Sequence, residues 1–188
     1  MTPSDLLIST FTQMLSALSV WLEKAEAQMP EGGAEALLSA RIAPDMFPLS
    51  TQIRFACVQA QESVYRLRDQ AFPASIDTLL NEGRNADQHP GSIAEARARI
   101  EETIALVEAA ATASPDIDPA MPIAHALPTG MVFDLTAECY ARDWVLPQFF
   151  FHLVTAYAIL RGGGVDLGKA DYVAHMFAYL RPGTMPPP

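Results

Sequence analysis

"FFFHLVTAYAILRGGGVDLGKADYV" spans Phe149 to Val173. Its first half is almost wholly apolar, and Pro147 just upstream suits the first turn of a helix. Gly162, Gly163 and Gly164 then supply the backbone freedom that a helix C-terminus uses. The stretch therefore predicts a core helix over Pro147–Arg161, with one imidazole, His152, on the face shared by Phe149, Ala156, Ile159 and Leu160. A helix this apolar must be covered by others, so the rest of the chain is read for partners.

Three partners emerge. From Ser4 to Met29 a single stripe, Leu7, Phe11, Leu15, Leu18, Leu22 and Ala25, steps by three and four residues, with Ser4 as expected N-cap and Pro30, Gly32 and Gly33 as the stop. A short helix, Ala34–Arg41, follows. The second long helix, Pro48–Arg68, presents Leu49, Ile53, Ala56, Ala60, Val64 and Leu67. A longer connection over 71–91 holds one irregular turn, Ser75–Leu80. The third long helix opens at Ser92, with Glu95 completing a capping box. It carries Ile93, Ala96, Ile100, Ile104, Val107 and Ala111 inward, and an Arg97–Glu101 pair on its outer face.

The prolines at 115, 119, 122 and 128 predict a loop from Ser114 to Thr129. "MVFDLTAECYARDWVLP" is expected to form a short extended piece or hairpin over one bundle end. A last short helix is expected over Lys169–Leu180 and a frayed tail after it. Four long amphipathic helices predict an all-α four-helix bundle forming one domain over 1–188.

The formal net charge of −10 opposes binding to nucleic acid or to an anionic membrane surface. No run of about 18 apolar residues predicts a spanning helix. The start of the chain, with Asp5 and no basic segment, lacks the pattern of a signal peptide, so a cytoplasmic location is expected. Cys57 and Cys139 are two separated thiols, expected to act as small buried hydrophobes. In "RGGGVDLGKADY", Gly163, Gly168 and Lys169 match phosphate-loop spacing, but Ala170 stands where Ser or Thr would hold magnesium and a helix precedes the glycines. The segment is read as a helix end, with Lys169 and Asp171 as a pair.

Two stretches together, "ARIAPDMFPLSTQIRFAC" and "LPQFFFHLVTAYAILRGGGVDLGKADY", resemble a bacterial family of unknown function within the DinB/YfiT-like superfamily of metalloenzyme-type proteins. The resemblance implies an up-down-down-up bundle with a long link between the second and third helices, and a homodimer. It implies a divalent metal, Zn or Ni, held by one histidine of the second helix and a pair four residues apart on the fourth. On the shared "LR…GV" ending, His152 falls on the second of that pair, Gln148 on the first, and Gln52 near the second-helix position. One imidazole and two neutral amides make a weak ligand set. Asp45 or Asp171 could add a carboxylate, although no spacing places either there.

Each residue also has a plainer reading. His152 suits a neutral core histidine bonded to a carbonyl or to Gln52, and Gln148 a residue at a helix end. His175 is expected at a surface edge, and His89 and His125 are expected to face solvent. Cys57 has Arg54 three residues earlier as the one cation placed to activate it. Three functions remain in view. The first is a cytoplasmic DinB-like bundle with a degenerate metal or small-molecule pocket formed by Gln52, Gln148 and His152, in a binding or stress-associated role. The second, drawn from the resemblance, is a metal-dependent thiol transferase or hydrolase-like enzyme. The third is a structural homodimer, which exposed Phe47, Phe72 or Phe150 would favour.

Overall fold

The computed structural model describes residues 2–113 and 115–184, the side chain of Pro3 excepted; the far end of the expected frayed tail lies outside them. Helix α1 is Pro3–Gln28. Proline begins it, so the cap moves back to Thr2, whose hydroxyl accepts the Asp5 N–H while the Asp5 carboxylate accepts the Thr2 N–H. Ser4, expected as the cap, is instead buried, and its backbone N–H and hydroxyl both donate to Asp116.

Helix α2 is Gly33–Leu37 and α3 is Leu49–Leu67, with Pro48 as its cap residue. The connection that promised one irregular turn contains a ten-residue helix, α4, Ser75–Arg84. Gly83 argues locally against a helix here, and its role is tertiary. A Cβ there would lie 2.6 Å from the Phe55 ring, so only glycine lets α4 lie this close to α3. Its carbonyl accepts the Thr51 hydroxyl at 2.7 Å. Packing thereby overrides glycine's poor helix propensity. Helix α5, Ile93–Ala113, opens on the expected Ser92–Glu95 capping box. Arg97 turns to Glu23 and Glu26 of α1 instead of pairing with Glu101.

The segment before the last long helix differs most from expectation. Strands β1 (Pro122–Ala126) and β2 (Val132–Thr136) form an antiparallel hairpin, registering Pro122 with Thr136 and Ala126 with Val132. The first strand thus comes from the expected loop, because Pro122 occupies the first strand position, where a missing N–H costs least. Residues 137–145 are helical: α6 (Ala137–Cys139), capped by the Thr136 hydroxyl, and a wide π-helical turn, Tyr140–Val145. They run directly into α7, Leu146–Gly162. The π-turn inserts an extra residue and aims Tyr140, Ala141 and Val145 inward. After the glycines come α8, Lys169–Tyr172, and a 3₁₀ turn, Ala174–Tyr179, instead of one continuous helix. Asp171 pairs with Lys24 at 2.5 Å and accepts the Gly168 N–H, so the expected Lys169 pairing does not form.

Helix α3 packs against α7, α5 and α4, and α1 against α5, α3 and α7. Every residue of the α1 and α3 stripes is buried. In α5, Ile104 and Ala111 sit only half inside, and Thr103 and Ala110 take inward places. Trp21 is wholly buried, with Tyr157 and Tyr172 around it at ring separations of 5.3 and 5.7 Å. Residues 4–28 and 137–162 are each long and apolar enough to cross a membrane by composition, contrary to the expectation from apolar runs; in this fold both contribute to the shared core.

Candidate functional site

Two helices bring His152 and Gln52 together. Both residues border apolar stripes, on α7 and α3 respectively, and these two helices lie against each other. The His152 Nδ1 is 2.8 Å from the Gln52 Oε1. The orientation of the amide is settled by its other end, where Nε2 donates to the Phe47 carbonyl at 3.0 Å. The Oε1 is then an acceptor only, so Nδ1 must carry the proton. The neutral imidazole is left with a bare lone pair on Nε2, which has no partner among the described residues and is not sealed from solvent.

Burial decides the protonation state. Gln52 is 1% exposed and His152 8%. Desolvation lowers the His152 pKa to about 4, so the ring is neutral at physiological pH. Phe55 and Phe151 meet its ring edge-on at 5.5 Å each, and Phe47 packs against Phe55 at 5.7 Å. The result is a single hydrogen-bond acceptor set among phenyl rings.

Gln148 does not join this pair. It lies half-buried one turn earlier on α7, and its side chain has no hydrogen-bond partner among the described residues. Asp45 is exposed in the loop before α3, and Asp171 is engaged by Lys24. Among the described residues, no group of three His, Cys, Asp or Glu side chains gathers to hold a metal. The Gln52 amide is already committed at both ends. A resident Zn or Ni would find one imidazole nitrogen here, and the donor set does not fit such an ion.

Cys57 is fully buried, and burial raises its thiol pKa to about 11, outweighing the opposing effects of the Thr103 hydroxyl and of Arg54 and Arg99. It is therefore an unreactive core residue. Cys139 is half-buried, beside an Arg142 Nη2 at 3.6 Å. His89 is exposed as expected, and His175 is half-buried at the edge. His125 departs from expectation. It is 5% exposed, points inward from β1 between Trp144 at 4.4 Å and Tyr140 at 5.4 Å, and neither ring nitrogen has a partner among the described residues. The alternation in "PIAHA", with Ile123 and His125 on the buried side, was the available signal. It was masked by the prolines around it.

A family model described as a domain of unknown function, DUF1993, matches residues 4–173. A solved structure described as a DinB family member protein from Shewanella denitrificans is similar over 97% of this chain and 95% of its own. Its TM-score is 0.71 and its sequence identity 31%. A comparison with curated proteins finds no match. With the fold, the paired helices and these two matches in hand, the chain belongs to the DUF1993 family of DinB-like proteins.

Proposed function

We propose that this protein binds a small molecule at the α3–α7 seam, where the His152 Nε2 accepts a hydrogen bond from the ligand and Phe47, Phe55 and Phe151 cover its apolar part. One observation carries the reading: the Gln52 amide, locked by the Phe47 carbonyl, fixes a neutral His152 with its proton on Nδ1 and its Nε2 left as an acceptor. Such a pre-set acceptor among aromatic rings is what a small-molecule pocket needs for orientation. The reading goes with a single-domain four-helix bundle of up-down-down-up order and a cytoplasmic location.

Phenol, a flat ring with one O–H donor, is a suitable first probe. Its titration is expected to give a saturable change in the His152 Nε2 nitrogen resonance, and the accompanying shifts of neighbouring backbone amides are expected to be lost in His152→Phe. No change, or an equal change elsewhere on the protein in His152→Phe, would overturn the proposal. Incubation with Zn or Ni and desalting is expected to leave less than about a tenth of an equivalent. Stoichiometric, His152-dependent retention would favour the metal-dependent enzyme instead. A homodimer is proposed alongside, supported by Phe47 and Phe72, which are 51% and 45% exposed, whereas Phe150 packs against the core. Elution at the mass of one chain would remove it.

A further inference from the structure

On the opposite side of α3, Arg54 is 3% exposed, yet its only side-chain hydrogen bond among the described residues is a long Nε contact to Glu82 at 3.4 Å. Among the described residues, its Nη1 is shielded from solvent with no partner, and its Nη2 makes no hydrogen bond or ion pair. A guanidinium offers five donors, and burying one so poorly paired is costly. Its neighbour Arg99 does not share the problem: Nε and Nη2 bind Glu82 and Nη1 binds Glu102.

A cavity of about 440 Å³ opens at this point, lined by Arg54, Glu82, Arg99, His89, Gly91 and Glu95. Gly91 has a φ of +74°, and a Cβ on it would lie 2.9 Å from both the Arg54 Nη2 and the Glu95 Oε2. Two opposite charges therefore face each other across a glycine without forming an ion pair. The Glu95 Oε2 caps Ser92, leaving Oε1 unpartnered among the described residues. The N-terminus of α5 is not the attraction, because Glu35 already accepts the Ile93 N–H and the Ser92 hydroxyl the Glu95 N–H.

We infer that this cavity binds a small zwitterion of the α-amino-acid class, its carboxylate on the Arg54 Nη2 and its ammonium on Glu95. A carboxylate accepts a charge-assisted hydrogen bond from the guanidinium. The carboxylates of Glu82, Glu95 and Glu102 outnumber the two arginines, so an anion without its own positive charge is repelled. A doubly charged phosphate fares worse still. A neighbouring ammonium removes that repulsion and satisfies Glu95.

The experiment is a calorimetric titration of the full chain with L-alanine, with sodium acetate, methylammonium chloride and N-acetylglycine as half-charge controls, at equal ionic strength. Saturable binding of L-alanine is expected, with each control weaker by roughly tenfold or more. Arg54→Met and Glu95→Gln should each weaken it by a similar factor. Ala98, exposed on α5 at the cavity wall, offers a variant that leaves the core alone: Ala98→Leu is expected to abolish binding with an unchanged melting curve. No saturable heat with L-alanine, or acetate binding as tightly as L-alanine, or full binding by Ala98→Leu would each overturn the inference.

Discussion

The two ends of α3 handle buried polar side chains in opposite ways. At its C-terminal end, Arg68 is 5% exposed and its groups are all engaged. Nε donates to the Ser4 hydroxyl at 2.9 Å, Nη1 to the Ala111 carbonyl at 2.9 Å, and Nη2 lies 3.3 Å from both Asp5 and the buried Asp116. At the N-terminal end, the Arg54 guanidinium holds one long bond and the His152–Gln52 pair leaves one imidazole nitrogen open. The same helix can close a polar network completely, as it does around Arg68. Open valences at the other end are therefore a local feature and not looseness of the whole fold. Complete pairing serves stability; incomplete pairing in a buried place leaves capacity for a ligand.

The sharpest contrast comes from cutting the closed end. Arg68→Met strands Asp116 without its cation, and a loss of about 3–5 kcal/mol in urea unfolding is expected. A cost below about 1 kcal/mol would erase the contrast between the ends.

Acid probes the open end. The His152 pKa is depressed from 6.5 to about 4 in the folded protein, so the unfolded chain binds the extra proton between those values. Its contribution is fully present above pH 6.5 and is lost as pH falls toward 4. The ceiling is about 3 kcal/mol. His125, depressed mainly by burial, adds in the same direction. Melts of the wild type and His152→Gln across that range should show a shallower slope in the variant; parallel curves would put the effect elsewhere.

A smaller effect is expected from His152→Leu at pH 7. It leaves the buried Gln52 Oε1 without a donor and should cost about 1–3 kcal/mol. The smallest change is Arg54→Met, expected within about 1 kcal/mol of wild type or stabilising, because it removes a buried charge that the protein hardly pairs. If Arg54→Met were as damaging as Arg68→Met, the N-terminal end would be structural too.

Much of this was legible in the residues. The stripes on α1 and α3 and the Ser92–Glu95 box depend on neighbours three or four positions apart, which sequence displays directly. The closeness of His152 and Gln52 was implied by the resemblance, which placed both at one site, and it agrees with both residues bordering apolar stripes. The α4 helix, the hairpin and the π-turn were not legible. Gly83 and the prolines send local signals against regular structure, and only contact with Phe55, or the edge position of Pro122, reverses them. Gln148 failed to join the pair because a spacing of four places two side chains on one flank without giving either a partner. A long side chain at a stripe edge such as Arg54 is expected to reach outward to water, yet it is buried. Its burial depends on α4 and α5, which close over it from far along the chain.

The nitrogen-15 spectrum of the His152 ring at pH 7, in protein free of added ligand, tests the central assignment most directly. The account predicts a neutral ring with the proton on Nδ1 and an unprotonated Nε2. A proton on Nε2, or a charged imidazolium, would contradict it.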